Sequence, residues 1–100
     1  MALNWEIQET DLELCKTKIN EAIQLAGLPD FAKVVWDKNE MCVRIEKAGK
    51  SEFRLALKSE SGKVKLVESK RDVSFMHKPF VPRVEGVVDN VMSKIGAKKI

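Results

Sequence analysis

The chain has 100 residues, of which 44% are hydrophobic and 33% charged, and its formal net charge at pH 7 is +3. This length and composition predict a single globular domain over residues 1–100 and exclude a disordered chain. No apolar run approaches the ~20 residues of a membrane-spanning helix, so we expect no membrane insertion. The absence of a secretory signal pattern and of a disulfide framework predicts a cytoplasmic protein with reduced thiols.

A short strand and a helix are predicted at the start of the chain. The strand is indicated by three bulky residues that alternate with polar ones: Leu3, Trp5 and Ile7. Thr10 and Glu13 fit a capping box, so we expect the helix to begin there and to cover about residues 11–26. Gly27 supplies its left-handed stop.

From residue 31 to residue 69 the hydrophobic period falls to two, which predicts a meander of antiparallel strands. A turn at Lys38-Asn39 pairs the first hairpin as follows: Trp36 with Met41, Val34 with Val43, Val35 with Cys42 and Lys33 with Arg44. In the second hairpin, matching Ile45 to Phe53 sets Arg44 opposite Arg54.

The end of the chain is predicted to leave the sheet and to form a second helix. A bulge or break at residues 70–72 leads to Phe75 in the last strand, and Pro79 and Pro82 end the sheet. The apolar residues between 84 and 95 then recur with helical spacing. The helix needs the sheet for its stability, because valine is a middling helix former.

These elements predict an α+β fold with the order β-α-β-β-β-β-α, in which an antiparallel sheet carries two helices on one face. If the first strand pairs with the last, strands one and two are parallel and the first helix is their crossover. The face covered by the helices is expected to carry Val43, Ile45, Phe53 and Leu55.

The run Phe75-Met76-His77-Lys78-Pro79-Phe80 and Trp36 before the hairpin turn resemble small bacterial proteins of polyhydroxyalkanoate granule systems. The chain also shares their length and order of elements. The resemblance implies a helix-grip fold, in which a curved sheet holds the terminal helix. It carries no catalytic motif, so it bears on the fold more than on the function.

The sheet face away from the helices collects basic residues around a small apolar centre. The residues expected to bind a partner are Lys33, Arg44, Arg54, Lys58 and Lys65. Arg44 opposite Arg54 is destabilising unless carboxylates or an outside anion offset it. The pattern favours docking of an anionic macromolecule or an acidic protein surface. The alternative is a solvated face on which Glu46 and Glu52 neutralise the arginines.

Nucleic acid is the less favoured anionic partner. Single-strand binders stack bases on exposed aromatic side chains. This chain has no tyrosine, and four aromatic residues are assigned to the buried face: Trp5, Trp36, Phe53 and Phe75. Only Phe31 is expected outside, and no helix-turn-helix spacing appears.

One alternative function is the binding of an apolar small ligand between the sheet and the C-terminal helix. The residues that could line such a pocket are Trp36, Met41, Met76 and Met92. Methionines at these spacings are more often core fillers. A chain of this length also has little core to spare.

A second alternative is homodimerisation through the sheet. The second strand is an expected edge, and edge strands offer unpaired backbone groups to another copy. The apolar centre of the open face could supply a contact through Val35, Cys42, Ala56 and Val67. Lysines on the outer strands argue partly against it, because they commonly protect edges.

The pattern predicts no catalytic site, no metal site and no cofactor. His77 is the only histidine, and we expect it on the surface, without a nucleophile at motif spacing. Cys15 belongs to the helix stripe and Cys42 to the open sheet face, so they cannot easily share a metal. Cys42 is expected to be a small strand residue, the alternative being a reactive thiol with a lowered pKa. The sequence thus predicts a non-enzymatic binding or assembly module.

Overall fold

A computed structural model describes residues 4–100 as one six-stranded antiparallel sheet with two helices, which confirms the predicted α+β class. The strands are β1 (Asn4–Ile7), β2 (Ala32–Asp37), β3 (Glu40–Ile45), β4 (Ser51–Glu60), β5 (Lys63–Asp72) and β6 (Lys98–Lys99). The helices are α1 (Leu12–Ala26) and α2 (Val81–Lys94), and a 3₁₀ helix (Phe75–Phe80) precedes α2. The predicted strand residue Leu3 lies outside the described residues.

The strand order is β2-β3-β4-β5-β1-β6. Because β1 runs antiparallel to β5 and directions alternate back to β2, strands β1 and β2 are parallel and α1 is their crossover, as predicted. The two-residue strand β6 was not predicted. It pairs with the outer side of β1, so β1 is not at the edge of the sheet.

Helix α1 begins one residue later than predicted. Asp11, not Thr10, is the N-cap, and its carboxylate accepts hydrogen bonds from the backbone amides of Glu13 and Leu14. Both residue types cap helices well, so the sequence alone does not decide between neighbours. The predicted stop is confirmed, because Gly27 has φ 76° and its amide donates to the Ile23 carbonyl.

The predicted register of the first hairpin is confirmed, and the predicted register of the second hairpin is wrong. All predicted pairs between β2 and β3 occur. In the second hairpin Phe53 pairs with Val43, and Ile45 pairs with Ser51. The connecting loop is therefore longer than predicted. A shift of two residues leaves every side chain on its predicted face, because side chains alternate with period two.

The break predicted at residues 70–72 lies slightly earlier. β5 continues through these residues, and the irregularity is a bulge at Ser69, opposite β4 just after Arg54. The extra residue turns Arg71 to the helix side of the sheet. Its guanidinium carbon lies 4.9 Å from the ring centre of Phe53.

The hydrophobic core lies between the sheet and both helices, on the predicted face. Its strand residues include Val43, Ile45, Phe53 and Leu55. The prediction that Phe75 is a buried strand residue was wrong. Phe75 belongs to the 3₁₀ helix and is 81% exposed. No helix of the described residues is long and apolar enough to cross a membrane.

Candidate binding surface on the open face of the sheet

The five basic residues predicted to bind a partner all lie on the sheet face opposite the helices. Lys33 pairs with Arg44 across β2 and β3, and Lys58 pairs with Lys65 across β4 and β5. The prediction that Arg54 faces Arg44 was wrong, because the register of β3 and β4 differs by two residues from the predicted register. The residue opposite Arg44 is Glu52. The like-charge pair that motivated the prediction is therefore absent.

One half of the open face, on β2, β3 and β4, carries an ion-pair network that we call the arginine cluster (Asp37, Glu40, Arg44, Glu52 and Arg54). Glu52 accepts from Nε of Arg44 at 2.8 Å and from Nε of Arg54 at 2.5 Å. Nη1 of Arg54 also donates to Glu40 at 2.5 Å and lies 3.6 Å from Asp37. Both guanidinium groups thus have carboxylate partners within the chain.

The pKa values follow this network. Hydrogen bonds from Arg54 and then Ser69 lower the pKa of Glu40, and those from Arg54 and Arg44 lower the pKa of Glu52. Bonds to the two carboxylates raise the pKa of Arg54. A carboxylate that accepts bonds from cations is stabilised in its charged form, which is the cause of these shifts. The arginines and the carboxylates of the cluster therefore neutralise one another within the chain.

Cys42 lies within the arginine cluster and is fully buried, although it belongs to the open face. Its partners on the neighbouring strands are Val35 and Arg54. Burial raises the pKa of the Cys42 thiol, so the alternative of a lowered pKa was wrong. Burial also raises the pKa of Cys15, which lies in the core on the helix side. The two thiols are in different layers, as predicted.

The other half of the open face, on β4, β5, β1 and β6, carries a group that we call the lysine strip: Lys58, Lys63, Lys65 and Lys98. Lys58 and Lys65 are directly opposite each other, an arrangement that destabilises a strand pair. Two carboxylates lie within the strip: Glu60 is 3.4 Å from Lys65, and Glu6, which is directly opposite both Lys65 and Lys98 on β1, is 3.3 Å from Lys63. Within residues 4–100, Lys58 and Lys98 have no ion pair.

The remaining predicted contact residue, Lys33, is on the edge strand β2. It forms an ion pair with Glu46, and the hydrogen bond lowers the pKa of that glutamate. Of the five predicted residues, only Lys58 and Lys65 thus belong to the half in which four lysines face two carboxylates. The carboxylates Asp37 and Glu40 were missed at the sequence level, although alternation along β2 and β3 places both on this face.

The alternative pocket residues do not form one site. Met41 and Met92 line an apolar cavity of about 20 Å³ between the sheet, α1 and α2. Trp36 is outside its lining and donates its indole N–H to Asn20, while Met76 is 64% exposed in the 3₁₀ helix. The cavity lies where the prediction put it, but a volume near that of one water molecule holds no ligand.

His77 is buried at 1% exposure, so the expectation of a surface histidine was wrong. Its Nε2 lies 2.7 Å from the Lys47 carbonyl, which can only accept, so this nitrogen carries the proton. Nδ1 lies 2.6 Å from the Ser51 hydroxyl, from which it accepts in the neutral imidazole, and the Ser51 oxygen accepts from the Ser74 amide at 2.7 Å. This chain of bonds joins the β3–β4 loop to the 3₁₀ helix.

The described residues contain no group of three or more His, Cys, Asp or Glu side chains that could hold a metal ion. Comparisons with family models, curated proteins and solved structures found no match to the chain. The resemblance to polyhydroxyalkanoate granule proteins therefore remains a prediction.

Proposed function

We propose that this protein is a non-enzymatic binding module that docks an anionic partner through the lysine strip on the open face of its sheet. The observation that carries the proposal is the pair of Lys58 and Lys65, which oppose each other across β4 and β5. Neither carboxylate of the strip forms an ion pair with Lys58: Glu60, 55% exposed, reaches Lys65, and Glu6, opposite Lys65 on β1, reaches Lys63. An anion placed between the two lysines would relieve their repulsion.

The arginine cluster has a different role in this proposal. Its guanidinium groups already donate to carboxylates of the same face, and the side chains of Arg44 and Arg54 are only 34% and 25% exposed. A partner carboxylate would have to displace Glu52 or Glu40, which gains little net energy. Arg44 and Arg54 therefore stiffen the neighbouring surface, and Lys33, held by Glu46, contributes less than the strip.

An acidic protein segment suits the lysine strip better than a nucleic acid. Stacking of bases needs aromatic side chains, and the aromatic residues of the strands are all on the helix side: Trp5, Trp36 and Phe53. Lysines are mobile point charges that accept carboxylates in many geometries. The partner that we propose is therefore an acidic peptide or an acidic patch on another protein.

The test measures binding of a fluorescent polyglutamate peptide at low salt by anisotropy. Replacing both lysines of the pair, Lys58→Gln with Lys65→Gln, is expected to weaken binding by roughly three- to tenfold, since exposed ion pairs contribute modestly. The control Lys33→Gln removes one positive charge from the same face and is expected to have little effect. Equal losses in both variants, or no binding at low salt, would contradict the proposal.

Homodimerisation through the edge strand is a second candidate. β2 is at the edge of the sheet, and its outward-facing Val35 is 38% exposed. A second copy could add its own β2 and continue the sheet, although Lys33 and Asp37 flank Val35 with charges. Light scattering over a concentration series decides this: a constant monomer mass excludes the dimer.

A further inference from the structure

The 3₁₀ helix Phe75–Phe80 sorts its side chains into rows, because residues three apart eclipse each other in this helix type. His77 and Phe80 form the inner row: His77 is buried and Phe80 packs against the core. Phe75 and Lys78 share an outer row, and the Lys78 ammonium lies 5.5 Å from the centre of the Phe75 ring. Met76 belongs to the remaining row, with Pro79, and is also exposed. The segment thus has an anchored side and an outward side.

The anchored side holds this segment firmly. The His77 nitrogens bond to Ser51 and to the Lys47 carbonyl, and the Phe80 ring stacks on Phe31 with ring centres 4.6 Å apart. Gly49 in the β3–β4 loop has φ 124°, and a Cβ there would lie 3.4 Å from Ser74 Oγ. The loop and the 3₁₀ helix therefore form one packed end of the molecule.

The outward side exposes two large apolar side chains next to each other. Phe75 is 81% exposed and Met76 is 64% exposed. Neither packs against the hydrophobic core. Single exposed apolar residues are ordinary on protein surfaces, but here two adjacent ones are presented on a rigid support. This arrangement is suited to insertion into a partner.

Three lysines lie on the 3₁₀ helix or on the loop that packs against it. Lys47 and Lys50 belong to the exposed loop that packs on the 3₁₀ helix, and Lys78 lies over Phe75. The segments 47–51 and 73–84 contain no acidic residue. Carboxylates adjoin both segments: Glu46, Glu52 and Asp72 share a shallow depression with Lys50 toward the open face, and Glu85 is bound to Arg71. Of these, Glu46 is bound to Lys33 and Glu52 to the arginine cluster.

We propose that Phe75, Met76, Lys47, Lys50 and Lys78, which we call the tip, dock the protein on the surface of an anionic lipid membrane. Phe75 and Met76 enter the region between headgroups and acyl chains, and the three ammonium groups remain at the lipid phosphates and carboxylates. The proposal goes beyond the docking of an acidic partner at the lysine strip, because it uses a separate surface.

The size of the tip favours lipid over a protein partner. A stable protein interface buries about 800 Å² on each side, far more than two side chains supply. Membrane association instead combines a small apolar insertion with several lysines, neither of which suffices alone. Nucleic acid is less suitable, because the tip offers a single aromatic ring, and one ring face already carries Lys78.

The test is co-sedimentation of the full chain with vesicles of phosphatidylcholine, alone or mixed with phosphatidylserine. Binding to the mixed vesicles is expected, with much weaker binding to phosphatidylcholine alone. The variant Phe75→Ser with Met76→Ser is expected to reduce the partition coefficient by about tenfold or more. The matched control is Leu25→Ser, since Leu25 is an equally exposed apolar residue on α1, and it is expected to bind as the unmodified chain does.

The lysines are tested in the same assay. Lys78→Gln is expected to weaken binding about fivefold, since each lysine near an anionic surface contributes about that factor. Unchanged binding of the Phe75/Met76 variant, or equal binding to both vesicle types, would overturn the proposal. Loss on Lys58→Gln with Lys65→Gln but not on the tip variants would assign lipid binding to the lysine strip. Loss of polyglutamate binding in the Phe75/Met76 variant would assign the tip to an acidic protein.

Discussion

The two halves of the open sheet face share the same strand alternation but differ in how their charges are matched. In the arginine cluster, Glu52 lies between Arg44 and Arg54 and binds both, so the charges are matched within the chain. In the lysine strip, Lys58 and Lys65 oppose each other, and the two nearby carboxylates, Glu60 and Glu6, form ion pairs with Lys65 and Lys63 but not with Lys58. A count of basic residues therefore does not show which of them lack a carboxylate partner, because that depends on the strand register and on the positions of the carboxylates.

The reactivity of Cys42, which is buried within the arginine cluster, tests whether that cluster covers this part of the sheet. In a Cys15→Ala background the Cys42 thiol should react with a disulfide reagent at pH 8 at least about a hundredfold more slowly than in denaturant, because it is buried and its raised pKa keeps it protonated. Adding Arg54→Ala should speed the reaction by about tenfold or more. Adding Lys58→Ala should not. Equal rates in the two variants would show that the cluster does not cover the thiol.

Removing the shared carboxylate should affect the two halves unequally. Glu52→Gln leaves Arg44 and Arg54 without their common partner and should lower the free energy of unfolding by about 1 kcal/mol. Glu60→Gln removes an exposed carboxylate near Lys65 and should change it by less than about 0.5 kcal/mol. Urea denaturation of both variants measures the difference. A larger loss for Glu60→Gln would contradict the assigned roles.

Acid should weaken the arginine cluster. The pKa values of Glu40 and Glu52 are below their ordinary value of 4.5 in the folded chain. Their contribution to stability is therefore present above about pH 4.5 and is lost as the pH falls through the lowered folded values. Urea midpoints measured from pH 6 downward should fall, and they should fall less steeply in Glu52→Gln. An identical slope in that variant would rule out Glu52 as a source of the acid sensitivity.

The smallest expected effect is a gain of stability in the lysine strip. Lys58→Glu replaces a like-charge pair with an opposite-charge pair across β4 and β5, so it should raise the free energy of unfolding by about 0.2–0.5 kcal/mol at low salt. The same variant should bind polyglutamate more weakly. High salt should remove the gain. A loss of stability at low salt would mean that Lys58 and Lys65 do not repel each other in the folded chain.

The sequence was sufficient to predict which face the residues of β2, β3 and β4 occupy. Val43, Phe53 and Leu55 alternate with polar residues, and this alternation survives a shift of register by two positions. The same logic correctly placed Arg44 and Arg54 on one face. It could not say what each residue faces, because a register with Glu52 opposite Arg44 has the same alternation as one with Arg54 there.

The missing information was tertiary. Ser51 pairs with Ile45 in the actual register, and this polar residue is buried because His77 and Ser74, far along the chain, satisfy its hydroxyl. The hairpin sequence alone does not reveal that contact, so Phe53 was predicted as the partner of Ile45 instead of Ser51. The same segment explains the misplacement of Phe75: a 3₁₀ helix that buries His77 turns Phe75 outward.

The most direct test of the lysine strip is a titration of ¹⁵N-labelled protein with a polyglutamate peptide, followed by amide chemical shifts. We expect the largest changes at Lys58 and Lys65 and on the adjoining β1 and β6, and little change at Arg44 and Arg54. Changes centred on the two arginines, or shifts absent at low salt, would contradict this expectation.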